Sequence, residues 1–153
     1  MVFLRYAIWV IVVVISVACD DDYVNVMPGS ATVVGVWLPD KQHSNCPATW
    51  MAADTKLVLN QDGTCYAYSF GKGFFQENYS ESYDQGSQDV VAGTWNLVNS
   101  DGRWNLAFDW RLRSGGLQRS ATLLRFDKDI EIEFWIGYPD TAPRLLFRKL
   151  VQK

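Results

Sequence analysis

The sequence predicts an all-β protein, an antiparallel barrel of about eight strands that follows an N-terminal signal peptide. Three observations predict it. Apolar and polar residues alternate with a period of two, most cleanly over Arg103–Arg111 and Ile130–Ile136. Turn chemistry recurs at near-regular spacing, at Asp62-Gly63, Asp101-Gly102 and Gly115-Gly116. No stretch after residue 18 sustains a helical period. Closing such a sheet hides its edges and buries the aromatic face. Eight strands enclose a space just wide enough to be filled by side chains or to hold one small ligand.

The chain opens with Arg5, an apolar run from Tyr6 to Val14, and a small-residue exit at Ser16-Val17-Ala18. This is the layout of a secretory signal peptide over residues 1–18. An uncleaved anchor is the alternative, because Met1–Ala18 is close to the ~17–25 residues that span a bilayer. Residues 19–30 read as an acidic tether, with Asp20-Asp21-Asp22 solvated and Tyr23–Ser30 a linker broken by Pro28-Gly29. The barrel domain then occupies residues 31–153.

Ala31–Trp37 is β-branched and reads as the first strand. Leu38–Asp54 is a long connection with two prolines and a helical turn near Ala48–Ala53. Lys56–Asn60 and Cys65–Phe70 form a hairpin about Asp62-Gly63. Gly71–Asp89 is polar, aperiodic and studded with Phe74, Phe75, Tyr79 and Tyr83. Val90–Val98, Arg103–Arg111, Leu117–Phe126, Ile130–Ile136 and Arg144–Leu150 complete the strands.

The composition narrows the chemistry. The formal net charge is −3 and no basic stripe is present, so no nucleic-acid partner is expected. His43 is the only histidine and sits in a polar stretch, which fits a surface residue better than a Ser-His-Asp triad with Ser44 or Ser30. Glu131 and Glu133 share a strand face, where a solvated outer face is expected rather than an acid–base pair. Asp20–Asp22 lack the looped cage that calcium needs. No cysteine–histidine metal spacing and no phosphate loop occur. The expectation is a protein without catalytic residues, metal or cofactor.

Aromatics make up 14% of the chain, enough to fill a core or line a pocket. Trp37, Trp95, Trp104, Phe108, Trp110 and Phe134 are expected to point inward, as plain core or as the walls of a cavity for an apolar small molecule. Phe74, Phe75, Tyr79 and Tyr83 form a candidate partner-binding loop, or else fold back over the barrel mouth. The Arg111–Arg113 turn is a second candidate contact surface.

Two resemblances extend this reading. Ser16-Val17-Ala18-Cys19 resembles the lipobox of bacterial lipoproteins, with Ser16 where an aliphatic residue is usual. It implies acyl chains such as palmitate on Cys19, membrane attachment, and a periplasm-facing place in the cell envelope. Asp20 is similar to a signal that retains such proteins in the inner membrane. With Cys19 lipidated, Cys46 and Cys65 remain, and export to an oxidising compartment makes a disulfide between them the natural expectation. Two buried free thiols are the alternative. Such a bridge would add ~3 kcal/mol in the chain-entropy picture.

Gly35-Val36-Trp37 and Gly93-Thr94-Trp95 resemble the Gly-X-Trp motif of lipocalin-like barrels. There the tryptophan closes one barrel end, and a basic residue of the last strand packs on the first tryptophan. Arg148 or Lys149 is placed for that role. The resemblance spans roughly Ala31–Leu150. Small bacterial lipoproteins of this shape include immunity proteins against toxins. Two functions are therefore expected: an envelope lipoprotein that binds an apolar small molecule, or a filled barrel that binds a partner protein, such as an immunity protein or toxin inhibitor.

Overall fold

Alternation in the sequence becomes a closed barrel because every strand finds an antiparallel neighbour on each side. The computed structural model describes residues 22–75, 90–112, 115–126, 129–136 and 143–151. A one-turn helix α1 (Ser30–Val33) precedes β1 (Gly35–Pro39). The remaining strands are β2 (Met51–Leu59), β3 (Thr64–Phe70), β4 (Val90–Ser100), β5 (Arg103–Leu112), β6 (Gly115–Phe126), β7 (Asp129–Trp135) and β8 (Arg144–Lys149). Each pairs with the next, and β8 returns to β1 through Trp37↔Lys149, Leu38↔Arg148 and Pro39↔Phe147. The architecture is compatible with a lipocalin-like fold.

Turn chemistry sets the register. Asp101 (φ 53°) and Gly102 (φ 78°) join β4 to β5 in a two-residue loop. Two positive φ angles match the right-handed twist of the flanking strands. Asp62 accepts hydrogen bonds from the Thr64 amide (2.9 Å) and hydroxyl (2.6 Å), closing the β2–β3 turn. This end of the barrel, with α1 and the β2–β3 and β4–β5 turns, is the near end. The far end carries Pro39, Met51, Phe70, Leu112 and Trp135.

Two stretches depart from expectation at the near end. Ala31–Trp37 is not strand throughout, because Ser30–Val33 makes one helical turn and pairing begins at Gly35. The turn survives because its orphan carbonyls find donors, as a helix terminus requires. Lys149 Nζ donates to the carbonyls of Ala31 (2.7 Å) and Thr32 (3.0 Å), and Trp37 Nε1 donates to that of Val33 (2.8 Å).

Tyr23 and Val24, expected in the linker, are part of the wall. Pairing of β5 with β6 stops at Asn105↔Thr122. Below that point Asp22–Val24 inserts between the two strands. The Arg125 amide donates to Asp22 O (2.8 Å), that of Val24 to Leu123 O (3.1 Å), and that of Trp104 to Val24 O (2.9 Å). Val24 is buried, and the Arg103 guanidinium lies 3.9 Å from the Tyr23 ring centroid.

The expected Cys46–Cys65 bridge is absent, and both thiols are free. The register explains it. Cys65 pairs with Leu59 and Gly93 towards the near end. Cys46 follows Asn45, which is bridged to Arg144 at the far end, and it precedes Met51, which pairs with Phe70. Cys65 and Phe70 alone are five strand steps, or about 17 Å, apart. A disulfide needs Cα atoms within about 7 Å.

Candidate functional site

The alternating aromatics converge on the barrel axis. Trp104, Leu106, Phe108 and Trp110 share the inner face of β5, and Ile132 and Phe134 that of β7. They do not stand as walls around a space. Phe108 stacks on Trp110 with centroids 5.1 Å apart, and Phe108 meets Phe134 at 5.3 Å. Phe134 in turn meets Phe147 at 5.8 Å, and Phe147 meets Phe70 at 5.6 Å. Such separations are those of rings in direct contact.

The centre of this cluster comes from outside the strands. A 3-10 turn at Lys72–Phe75 directs Phe74 into the far end of the barrel, where it is fully buried. Its ring lies 4.4 Å from Phe70, 4.9 Å from Phe75 and 5.1 Å from Phe134. Phe75 is half-buried and meets Trp110 edge-on at 5.9 Å. Phe74 is therefore core, and Phe75 packs against it while remaining part-buried. Tyr79, Tyr83, Arg113, Cys19 and Asp20 lie outside the described residues.

The two Gly-X-Trp segments do different jobs. A Cβ on Gly35 would lie 2.8 Å from Lys149 Cε, so its absence lets that side chain cross to α1. Lys149, not Arg148, pairs with Trp37 in the register, and Trp37 is fully buried. A Cβ on Gly93 would lie 2.6 Å from Asp109 O and 2.9 Å from Trp110 Cε3, so this glycine gives the Trp110 ring its place. Trp95 is half-buried and donates from Nε1 to Asn60 O (3.0 Å), tying the β2–β3 turn to β4. Trp104 is half-buried beside the inserted Val24 strand. Of the six inward candidates, Trp37, Phe108, Trp110 and Phe134 are core, while Trp95 and Trp104 close the near end.

One inward polar atom stands out. The indole N–H of fully buried Trp110 has no hydrogen-bond partner among the described residues. Burial also governs the thiols, pushing the Cys65 pKa up to about 12 and raising that of Cys46. Neutral thiols of this kind are poor nucleophiles and poor metal ligands. Among the described residues no cluster of metal-ligating side chains occurs.

The outer face of β7, β8 and β1 is less bland than expected. Glu131 and Glu133 are each only 5% exposed, so the solvated outer face is corrected. Their parity does point them outward, but arginines from β8 lie over them. Arg148 Nε sits 2.5 Å from Glu131 Oε1, and Arg144 Nε 2.7 Å from Glu133 Oε1. Asp40, just past β1, adds a third carboxylate 3.0 Å from Arg148 Nη2. Burial alone would raise the Asp40 pKa. The His43 side chain and amide, the Arg148 charge and the Gln42 amide outweigh it and hold the carboxyl below its usual value.

His43 Nδ1 lies 2.7 Å from Asp40 Oδ2, yet no triad forms. Ser44 Oγ donates to Asp40 O (2.6 Å) and accepts from the Leu146 amide (3.1 Å), so it serves the β1–β8 seam. Trp135, 42% exposed, pairs with Arg144 in the register, and exposed Leu38 pairs with Arg148. Trp135 has the same parity on β7 as Glu131 and Glu133, whose shared face the alternation predicts. The arginines were hidden because strand partners are not readable from either strand alone. Compared with protein-family models, with curated proteins and with solved structures, the chain matches none.

Proposed function

We propose that this chain is a non-enzymatic envelope lipoprotein, lipidated at Cys19, whose filled barrel is a scaffold for binding a partner protein. The observation that carries the reading is the aromatic cluster. Phe74 is inserted among Phe70, Phe75 and Phe134 at centroid distances of 4.4–5.1 Å, where a carried ligand would otherwise sit. The lipobox-like Ser16-Val17-Ala18-Cys19 supports the anchor.

With Phe74 and Phe75 turned inward, the contact surface falls to the outer face of β7, β8 and β1. Exposed Trp135 and Leu38 there lie beside Arg144 and Arg148, and tryptophan and arginine are the residues that most often dominate protein interfaces. An immunity protein or toxin inhibitor is the matching class of role.

One observation favours the other reading, a carrier of an apolar small molecule. The buried Trp110 indole N–H lacks a partner among the described residues, and a ligand oxygen would satisfy it.

Native mass spectrometry of the protein taken from its own envelope separates the two. The scaffold reading expects a bare protein mass and a co-purifying protein that is lost on Trp135→Ala but kept on Val98→Ala. A retained mass of a few hundred daltons, lost on Trp110→Phe, would instead establish the carrier.

A further inference from the structure

The attachment of the N-terminal segment to the barrel wall determines which end of the molecule meets the membrane. This rests on the reading of Cys19 as the lipid anchor. If residues 19–30 were a free tether, the barrel would roam up to about 40 Å from its anchor in any orientation. The tether is far shorter, because pairing begins at once. Asp22 accepts from Arg125, Tyr23 bridges Leu124, and Val24 is buried between β5 and β6. Four residue steps separate Cys19 from Tyr23, a reach of about 14 Å at full extension. The headgroup layer of one leaflet takes up roughly 5–8 Å of that.

The end so tethered is also the apolar one. Five of the eight large hydrophobic residues exposed among the described residues lie there: Val26 (69%), Met27 (63%), Val98, Leu150 and Val151 (72%). They surround the near end instead of clustering. Val26 and Met27 follow the inserted strand, Val98 lies on β4, the far neighbour of β5, and Leu150 and Val151 leave β8, two strands round from β6. A groove of about 340 Å³ opens between the tether and the β6–β7 corner, with apolar Val24, Val26, Met27, Pro28 and Ile130 and polar Thr32, Arg125 and Asp129 in its lining. Among the described residues at this end, exposed Asp22, Asp62, Asp101 and Asp129 outnumber exposed Arg103 and Arg125, and Lys149 is turned onto the α1 carbonyls, so the exposed charge complements headgroup ammonium more than headgroup phosphate.

We infer that the near end is a membrane-contact surface, seated on the ethanolamine-rich bilayer that holds the Cys19 acyl chains, with Met27 at the lipid interface. The far end, with the Lys72–Phe75 turn and the β5–β6 hairpin, is thereby held outward. Because the contact is apolar and the exposed charge is mostly acidic, it persists in high salt.

The test uses the full processed chain in phosphatidylethanolamine vesicles, with photoreactive benzoylphenylalanine placed at Met27 or, at the far end, at exposed Arg111. Lipid adducts are expected at position 27 and not at position 111, unchanged by salt. Inserting about twelve Gly/Ser residues between Asp21 and Asp22 adds roughly 20 Å of reach, and the adduct at 27 should drop about fivefold while the protein stays membrane-bound. Equal labelling at both positions overturns the orientation, and a selective adduct that survives the insertion overturns the tether argument. Mass analysis of the N-terminal peptide keeps the failures apart. An acyl-free Cys19 defeats the lipoprotein reading, whereas an acylated Cys19 with equal labelling defeats the orientation alone.

Discussion

Replacing Phe74 by alanine tests whether the barrel is filled in solution. The ring is fully buried and touches Phe70 at 4.4 Å, Phe75 at 4.9 Å and Phe134 at 5.1 Å. Phe70 and Phe134 sit on β3 and β7 and cannot close the gap without distorting the barrel. The substitution therefore loses the transfer energy of the ring and leaves most of the cavity open, a cost of about 3–5 kcal/mol. A urea titration followed by tryptophan fluorescence reads it directly. With a slope of about 2 kcal/mol per molar urea, the midpoint falls by roughly 1.5–2.5 M while the slope is unchanged. The void is apolar and dry, so benzene should restore part of the loss. Half-buried Phe75, changed in the same way, should cost less. A loss below about 1 kcal/mol, the level of an ordinary substitution, would mean that the Phe74 ring does not occupy the barrel. The filled-scaffold reasoning would fail with it.

Two further expectations follow from the glycines and the thiols. Gly93→Ala sets a Cβ against the Asp109 carbonyl and the Trp110 ring, whereas Gly102→Ala meets nothing within 4 Å and bears only its positive φ. The first should cost about 2–3 kcal/mol and the second about 1, and equal losses in the same titration would refute the packing account. Maleimide at neutral pH should label Cys46 slowly and Cys65 only after denaturation, and an intact mass two hydrogen atoms light would reveal an oxidised bridge between them. The Cys65 pKa is raised by burial from about 9 to about 12, so the fold binds that proton more tightly than the unfolded chain does. This contribution is complete below about pH 9 and is lost as pH rises towards about 12. A urea midpoint that stays flat across that window would contradict it.

Much of this protein was determined by local sequence. Period-two runs and Asp-Gly turns specify where strands start and stop, because each depends on a few adjacent residues and their own φ preferences. The Arg103–Arg111 run maps onto β5 (Arg103–Leu112), and Asp101-Gly102 is the turn before it. The inward parity of Trp37, Phe108, Trp110 and Phe134 follows from the same alternation. What only the tertiary structure decided depends on residues far apart in the chain. The β-branched Ala31–Val33 has strand propensity but takes a helical turn, since Lys149 supplies donors to its carbonyls from more than a hundred residues away. In sequence Phe74 reads equally as an exposed loop aromatic or as one folded over the barrel mouth, and the pocket of rings at the far end decides for the interior. Glu131 and Glu133 read as solvated until β8 lays Arg148 and Arg144 over them. Cys46 and Cys65 look like a pair by count and are kept apart by register. Alternation fixes which face a side chain takes, but only closure of the barrel decides what it meets there.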